Sequence, residues 1–449
     1  MTGQRHSSAS IRTWTSLERR LPGGLAAAGG VPACLDRAGR GGRVRAPSSA
    51  DGRLAEVRVL QLHNRHSSRG GADDVMDQER TVLAGAGHDV EQYVVQPASE
   101  SSGGSLSQAL AAVWNRDVTS ELARLIDAFH PQVVHVHTPF PVMSPAVFRT
   151  AHRRGCATVA TCHSYRYSCI KGTLLRAGSI CEDCVGSRLK SAGVRHRCYH
   201  DSTAASLALT TSLVLHRGLG TFDHHVDRFI TLTEFTRQLL VRDGIAEQQV
   251  VVKPNMSPDP GPQARSTRRL GYVAFIGRLV EEKGIRTLLA AWRSAPAGAR
   301  LRIAGDGPLR PLVERAVTEG VDVDYLGWVD EAGIKHLVEH ASLLVIPSEW
   351  YEAGPPLAML RALAAGTPVL CSNLDNICGP VIDHGAGASF QTGDPASLAA
   401  AVTTALGDPD ALARASERAR EIYLTHHTPQ ATLDALEQIY ADVLRRPAT

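Results

Sequence analysis

The sequence predicts an α/β protein of two doubly wound halves facing a common cleft, with a cysteine-rich insertion in the first half. Three observations carry this expectation. Short β-branched, apolar runs alternate with segments of helical period from Val57 onward, the pattern of a parallel sheet covered on both faces. The alternation is broken by a stretch from Lys253 to Arg269 that holds four prolines, and it restarts at Gly271. A chain of 449 residues has room for two or three domains, each with its own core. The single break selects two.

Taken in order, Val57-Arg58-Val59-Leu60-Gln61-Leu62 reads as a first buried strand and Arg69-Gly70-Gly71 as its turn. A helix over Asp73 to Ala86 and a strand ending at Val94-Val95 follow. Next come a helix over Leu122 to Phe129, a strand at Val133 to Val136, a helix at Ala146 to Arg153 and a strand at Ala157 to Thr161. Regularity lapses between Cys162 and Asp201 and returns with the strand Arg228 to Thr231. Residues 54–253 therefore form a first Rossmann-like domain with an insertion at 162–201, and 254–270 a linker. The second domain, 271–449, has strands at Gly271 to Ile276, Leu301 to Ala304, Val323 to Leu326, Leu343 to Ile346 and Val369-Leu370, and its last helix is expected to cross back over the first. Folds of this kind bind ligands at the carboxyl ends of their strands.

The opening residues, 1–53, are rich in Ser, Gly, Arg and Ala without a hydrophobic period, so a disordered extension is expected there. The apolar core of a secretory signal is missing, because Pro22, Gly23, Gly24, Gly29 and Gly30 interrupt Leu21 to Val31. A net charge of +3 leaves no field to attract a polyanion, which sets nucleic acid aside. No run reaches the roughly 18 apolar residues that span a bilayer. Nine cysteines, an odd count, suit a reducing cytoplasm better than a disulfide framework.

Two loops carry the chemistry of an anion site. Arg278 and Lys283 lie just beyond a strand in Gly277-Arg278-Leu279-Val280-Glu281-Glu282-Lys283-Gly284, where a bidentate guanidinium and a compact ammonium suit a diphosphate; a solvated basic loop is the plain alternative. Pro347-Ser348-Glu349-Trp350-Tyr351-Glu352-Ala353-Gly354-Pro355-Pro356-Leu357 leads from a strand into a helix whose first N–H groups can meet an anion, though it also reads as an ordinary Pro-initiated helix stopped at Gly366. Ala304-Gly305-Asp306-Gly307-Pro308 is a third such turn.

In this order, and together with Leu326-Gly327-Trp328-Val329 and Ala364-Ala365-Gly366-Thr367-Pro368-Val369, these segments resemble the carboxyl-terminal half of the family 4 (group 1) retaining glycosyltransferases of the GT-B fold. The first half is similar in Gly70-Gly71, His137-Thr138-Pro139-Phe140-Pro141, Thr161-Cys162-His163-Ser164-Tyr165 and Thr231-Leu232-Thr233-Glu234-Phe235. The resemblance implies a retaining transferase moving a sugar from a nucleotide-diphosphate donor to a glycan, lipid-linked or small-molecule acceptor. Arg278 and Lys283 would neutralise the leaving diphosphate. Glu352 and His163 would face the donor sugar. Gly70, Gly71, Gly305, Gly327, Gly354 and Leu357 would complete the donor site.

One position departs from the family pattern. Its second glutamate falls on Arg361, one residue further from Glu352 than usual, and a guanidinium cannot accept hydrogen bonds from ribose hydroxyls. Arg361 is therefore expected as an extra phosphate contact, or as a mark of a weakened site. The rival readings are a non-catalytic GT-B scaffold or nucleotide-binding subunit and a nucleotide-sugar epimerase. No cofactor is expected for catalysis, since Asp73-Asp74 reads as solvated capping charge rather than a metal pair. The expected location is cytoplasmic, and peripheral at the inner face of the membrane if the acceptor is lipid-linked.

Cys169, Cys181, Cys184 and Cys198 follow C-x₁₁-C-x₂-C-x₁₃-C. The central pair is a chelating unit for tetrahedral zinc, and a structural zinc site or a set of buried or paired thiols are the two readings.

Overall fold

The computed structural model describes residues 54–65, 70–96, 106–261, 271–294 and 298–445. The expected extension, 1–53, and the linker residues 262–270 lie outside these.

The first half contains β1 (Arg58–Asn64), β2 (Asp89–Val95), β3 (Val133–Thr138) and β4 (Ala157–Thr161), then a small hairpin of β5 (Leu175–Arg176) and β6 (Ser179–Ile180), then β7 (Arg228–Thr231) and β8 (Val250–Val252). Six of these strands form one sheet in the order β2-β1-β3-β4-β7-β8, parallel throughout. Every side chain of β4 is buried, as a central parallel strand covered on both faces requires.

The second half contains β9 (Tyr272–Ile276), β10 (Arg300–Ala304), β11 (Val323–Gly327), β12 (Leu343–Ile346), β13 (Val369–Ser372) and β14 (Gly387–Phe390). Their order, β11-β10-β9-β12-β13-β14, is again fully parallel. Strand order reverses direction between β1 and β3 in one sheet and between β9 and β12 in the other. At such reversals neighbouring loops diverge and leave a crevice.

Local chemistry starts and stops the helices that matter. Helix Leu357–Ala365 begins after Pro355-Pro356 and ends at Gly366 in the left-handed region, φ 65°. The carboxyl-terminal helix Pro429–Arg445 packs across the first sheet: Leu436, Tyr440 and Val443 join Val59, Val133, Ala157 and Ile230 in one core. The described part of the expected linker, 254–261, is anchored rather than slack. The Ser257 N–H donates to the His427 carbonyl (3.0 Å), and the Tyr423 hydroxyl donates to the Ser257 carbonyl (3.0 Å).

Candidate functional site

A cleft of about 520 Å³ opens where the two reversal points face each other. Its second-domain wall is the loop after β9. Gly277 N–H donates to Ala304 O (3.1 Å) and Leu279 N–H to Asp306 O (2.9 Å), so the turn after β10 braces this loop from behind. Gly305 makes the close approach possible: at φ 143°, a Cβ there would sit 1.9 Å from the Gly277 oxygen. Gly305 and Gly327, joined by an N–H···O bond of 2.7 Å, lie outside the cleft lining and support it. This corrects their expected place among donor contacts.

The braced loop presents two cations of different kinds. Lys283 Nζ lies 2.5 Å from Glu352 Oε1, which also accepts from Ser348 Oγ (2.8 Å). Arg278 is exposed in the cleft and, among the described residues, has no carboxylate partner. With Lys283 and Glu352 balancing each other, the wall keeps one uncompensated positive charge. Arg361 also lines the cleft, but Nε (3.1 Å) and Nη2 (2.6 Å) bind Glu331 in a bidentate pair. Its charge is already engaged, against the expectation of a spare phosphate contact.

The loop carrying Glu352 is held from both domains. The Tyr165 hydroxyl donates to the Glu352 carbonyl (2.6 Å), as does Asn376 Nδ2, and Thr236 Oγ1 donates to the Ala353 carbonyl (3.1 Å). Phe235 and Tyr351 rings meet at 4.6 Å. Gly354 is pressed against Leu232, whose Cβ would lie 2.5 Å from a Cβ at 354. Gly354 therefore fits as the point where first-domain backbone abuts this loop.

Across the cleft, helix Gly71–Gly85 begins opposite helix Leu357–Ala365, with Leu357 Cδ1 3.6 Å from where a Gly71 Cβ would be. Two helix amino termini thus converge, and their N–H ends favour an anion between them. The Gly70 N–H is taken by Asp73 Oδ2 (2.9 Å). Asp73, expected as a solvated cap, is buried, and it also meets Arg65 Nε (2.8 Å) and His63 Nε2 (3.3 Å). Burial pushes its carboxyl up, but the Gly70, Arg65 and His63 contacts together outweigh this and hold it below the usual value.

His163 enters the cleft at the end of β4, and behind it runs a chain of buried polar groups. Its Nε2 lies 3.0 Å from His137 Nδ1; His137 Nε2 lies 3.6 Å from Glu79 Oε2; Glu79 Oε1 lies 2.8 Å from Lys253 Nζ. His135 beside them meets Tyr440 Oη (2.9 Å) and Thr161 Oγ1 (2.7 Å). Burial holds all three imidazoles neutral, with His163 lowered to about 3, His135 to about 4, and His137 well below its ordinary value. The Glu79 carboxylate lies beyond hydrogen-bond reach of His137 Nε2 but favours a proton there electrostatically; with that proton in place, Nδ1 would accept from His163 Nε2–H and His163 Nδ1 would be left as an acceptor. The ligand atoms of Glu79, His135 and His137 lie within 4.8 Å of one another, and the Lys253 ammonium already neutralises the same carboxylate (2.8 Å).

Comparison with known proteins decides the lineage. Residues 69–256 match the family described as Glycosyltransferase Family 4, and residues 271–408 match Glycosyl transferases group 1. The chain belongs to the family 4, group 1 glycosyltransferases. A glycogen synthase of Mycobacterium tuberculosis is 32% identical over 205 residues, covering 44% of this chain and 49% of that protein. The O-antigen chain mannosyltransferase B of Escherichia coli is 30% identical over 200 residues, 40% of this chain and 51% of that one. The chain matches about half the length of these curated relatives. Among solved structures, sucrose-phosphate synthase from Thermosynechococcus elongatus superposes with a TM-score of 0.62 at 18% identity, covering 86% of this chain and 99% of that one. The Anabaena protein HepE in complex with UDP-glucose gives 0.58 at 14% identity, with 86% and 99% covered. These neighbours share the two-domain GT-B fold.

In this glycosyltransferase the cleft collects Gly70, Gly71, His163, Arg278, Lys283, Glu352, Gly354, Leu357 and Arg361. Sequence reasoning missed the polar chain behind His163, and also Tyr165, Thr236 and Asn376 behind Glu352. His135 and His137 alternate along β3 on one face, a signal that was present in Val133-Val134-His135-Val136-His137. A separate hollow of about 850 Å³, between Ala365-Gly366 and helix Pro409–His426, shares no lining residue with the cleft. Among the described residues no helix is long and apolar enough to cross a membrane.

Proposed function

We propose that this chain transfers a sugar from a nucleotide-diphosphate donor to a glycan or lipid-linked acceptor, with retention at the anomeric carbon. The observation that carries the reading is the pairing of Arg278 and the Lys283–Glu352 couple with two converging helix amino termini across one cleft. A diphosphate seated there meets N–H dipoles from both domains and the Arg278 and Lys283 cations of the second. Charge developing on the leaving phosphate is stabilised by groups already in position, and such preorganised electrostatics contribute more to catalysis than any other effect open to a site of this kind. Binding a phosphate draws Lys283 from Glu352 and frees a carboxylate oxygen for a sugar hydroxyl. His163 offers a neutral acceptor on the opposite side.

The retaining course belongs to the same proposal and rests on the family resemblance: the acceptor hydroxyl would approach from the leaving-group side and pass its proton to a donor phosphate oxygen. HepE, solved with UDP-glucose, and relatives named as glycogen synthase and mannosyltransferase support a nucleotide-sugar donor and a glycan acceptor. Location in the cytoplasm, at the membrane face when the acceptor is lipid-linked, belongs to the same proposal.

Arg361 favours a second reading, a scaffold without turnover, because its guanidinium replaces an acceptor for ribose and is engaged with Glu331. Purified protein incubated with a panel of UDP- and GDP-sugars separates the two. Release of nucleoside diphosphate that disappears in Glu352→Gln, with an anomerically retained product by NMR, supports the transferase. Donor binding without release supports the scaffold.

A further inference from the structure

We propose that Cys169, Cys181, Cys184 and Cys198 bind one zinc ion, and that this site holds up the acceptor-side wall of the cleft. The four thiols come from separate parts of the insertion and line one hollow of about 10 Å³. All four are free. The hollow is the size of a single small atom and four cysteines line it; no three of their sulfurs lie within 4.8 Å of one another, so tetrahedral zinc would draw them inward by side-chain rotation.

The surrounding backbone has little else to hold it. Between Tyr165 and His200 the regular structure amounts to one helical turn, the two-residue strands β5 and β6, and the short helix Ser191–Arg195. Yet Leu174, Ala177, Lys190, Arg197, His200 and Asp201 all adopt positive φ, six of the eight such non-glycine residues described. Non-glycine residues keep that conformation only where their surroundings over-determine it. A central metal would supply that constraint, together with the buried Lys190–Asp243 pair (2.9 Å) that ties the segment to the helix Glu234–Arg242 side of the sheet. Four thiolates on zinc leave two negative charges, and Lys171 lines the same hollow, beside an Arg176 already paired with Asp183 (2.6 Å).

The consequence reaches the cleft through shared residues. Lys171 lines both the cysteine hollow and the cleft, and Ser164, Arg166, Gly172 and Thr173 continue that wall. Tyr165, in the same stretch, bonds the Glu352 carbonyl. The metal is thus placed to fix the wall opposite Arg278 and Lys283. Zinc binding stands on the cysteines alone; the effect on the acceptor rests on the transferase reading.

The full chain, purified without chelators, should contain about one zinc per chain and release it as four thiols are modified. Cobalt substitution should give the intense visible bands of tetrahedral thiolate coordination. Cys371→Ser should keep the metal, and Cys181→Ser with Cys184→Ser should lose it. Wild-type protein that is folded yet zinc-free, or that carries disulfides among these four cysteines, overturns the site whatever the variants do. For the wall, zinc-stripped protein that remains folded should show acceptor KM raised about tenfold or more, the scale of lost metal support, with nucleoside diphosphate affinity unchanged. Unchanged acceptor KM, or equal loss of donor affinity, overturns that part. Metal content is read without turnover, so failure of the transferase reading leaves the zinc result intact and separately legible.

Discussion

The two walls of the cleft handle charge in opposite ways. In the second domain Arg278 and Lys283 stand on a short loop, one without a carboxylate partner among the described residues and one paired with Glu352. In the first domain the polar chain behind His163 lies deep and burial keeps its histidines neutral, while Lys171 and Asp74 also line that wall. The difference amounts to a division of labour: mobile-proton chemistry is kept away from the loop that must hold a growing negative charge, and the neutral histidines offer hydrogen bonds without competing for the anion. Exposed cations act directly. Buried polar groups act by fixing the orientation of one residue.

If that division holds, breaking each wall gives a different signature. Glu79→Gln removes one partner of a fully buried ion pair and leaves Lys253 uncompensated, so a loss of about 3–5 kcal/mol in stability is expected by chemical denaturation. The double variant Glu79→Gln, Lys253→Met should recover most of it while changing the histidine tautomers, read from ¹⁵N shifts of labelled histidine. Unchanged tautomers would show that Glu79 does not order the chain. Lys283→Ala should lower kcat by about 10²–10³ with little change in stability, the cost of removing one preorganised donor to a developing anion. A tenfold smaller effect would move the burden to Arg278.

The pH dependence sharpens the first-domain side. His135 and His163 have pKa values lowered from 6.5 to about 4 and about 3, so the unfolded chain takes up protons first as pH falls. Their stability contribution is complete above about 6.5 and is lost as pH falls toward 4 and 3, with a slope of up to about 1.4 kcal/mol per pH unit for each group. Thermal unfolding at stepped pH measures this. Stability flat between pH 6.5 and 4.5 would contradict neutral buried histidines. Tyr440→Phe, which removes the hydroxyl against His135 but keeps the ring, should cost about 1–2 kcal/mol. The smallest effect belongs to Arg361→Ala, whose partner Glu331 is largely exposed: less than about 1 kcal/mol in stability. A marked rise in donor KM there would show that Arg361 leaves Glu331 for the ligand.

Much of the fold was legible because its strands are short, β-branched and buried. Helix Ala146–Arg153 and strands Ala157–Thr161, Arg228–Thr231 and Leu343–Ile346 fall on the predicted residues. Strand β8 has three residues and β14 has an exposed middle, so neither carries a clear period. Helix Thr203–Gly218, rich in Thr and Ser, has a weak apolar period and is started by a local cap, Ser202 accepting from the Ala205 N–H (3.2 Å). At the site, loops that follow strands could be read directly, because their residues are contiguous. The chain from Lys253 through Glu79 and His137 to His163 joins four distant segments, and only tertiary structure brings them together. Gly305 shows the converse: a motif can be in its place for backbone clearance rather than ligand contact.

The central claim is that the second-domain cations grip a diphosphate between the domains. Calorimetric titration of UDP and GDP into wild-type protein and into Arg278→Ala, Lys283→Ala tests it most directly. Wild-type protein should bind at least one nucleoside diphosphate measurably, with a loss of about 10–100-fold for each charge-assisted contact removed. Equal affinity in wild type and the double variant, with both proteins folded, would contradict it.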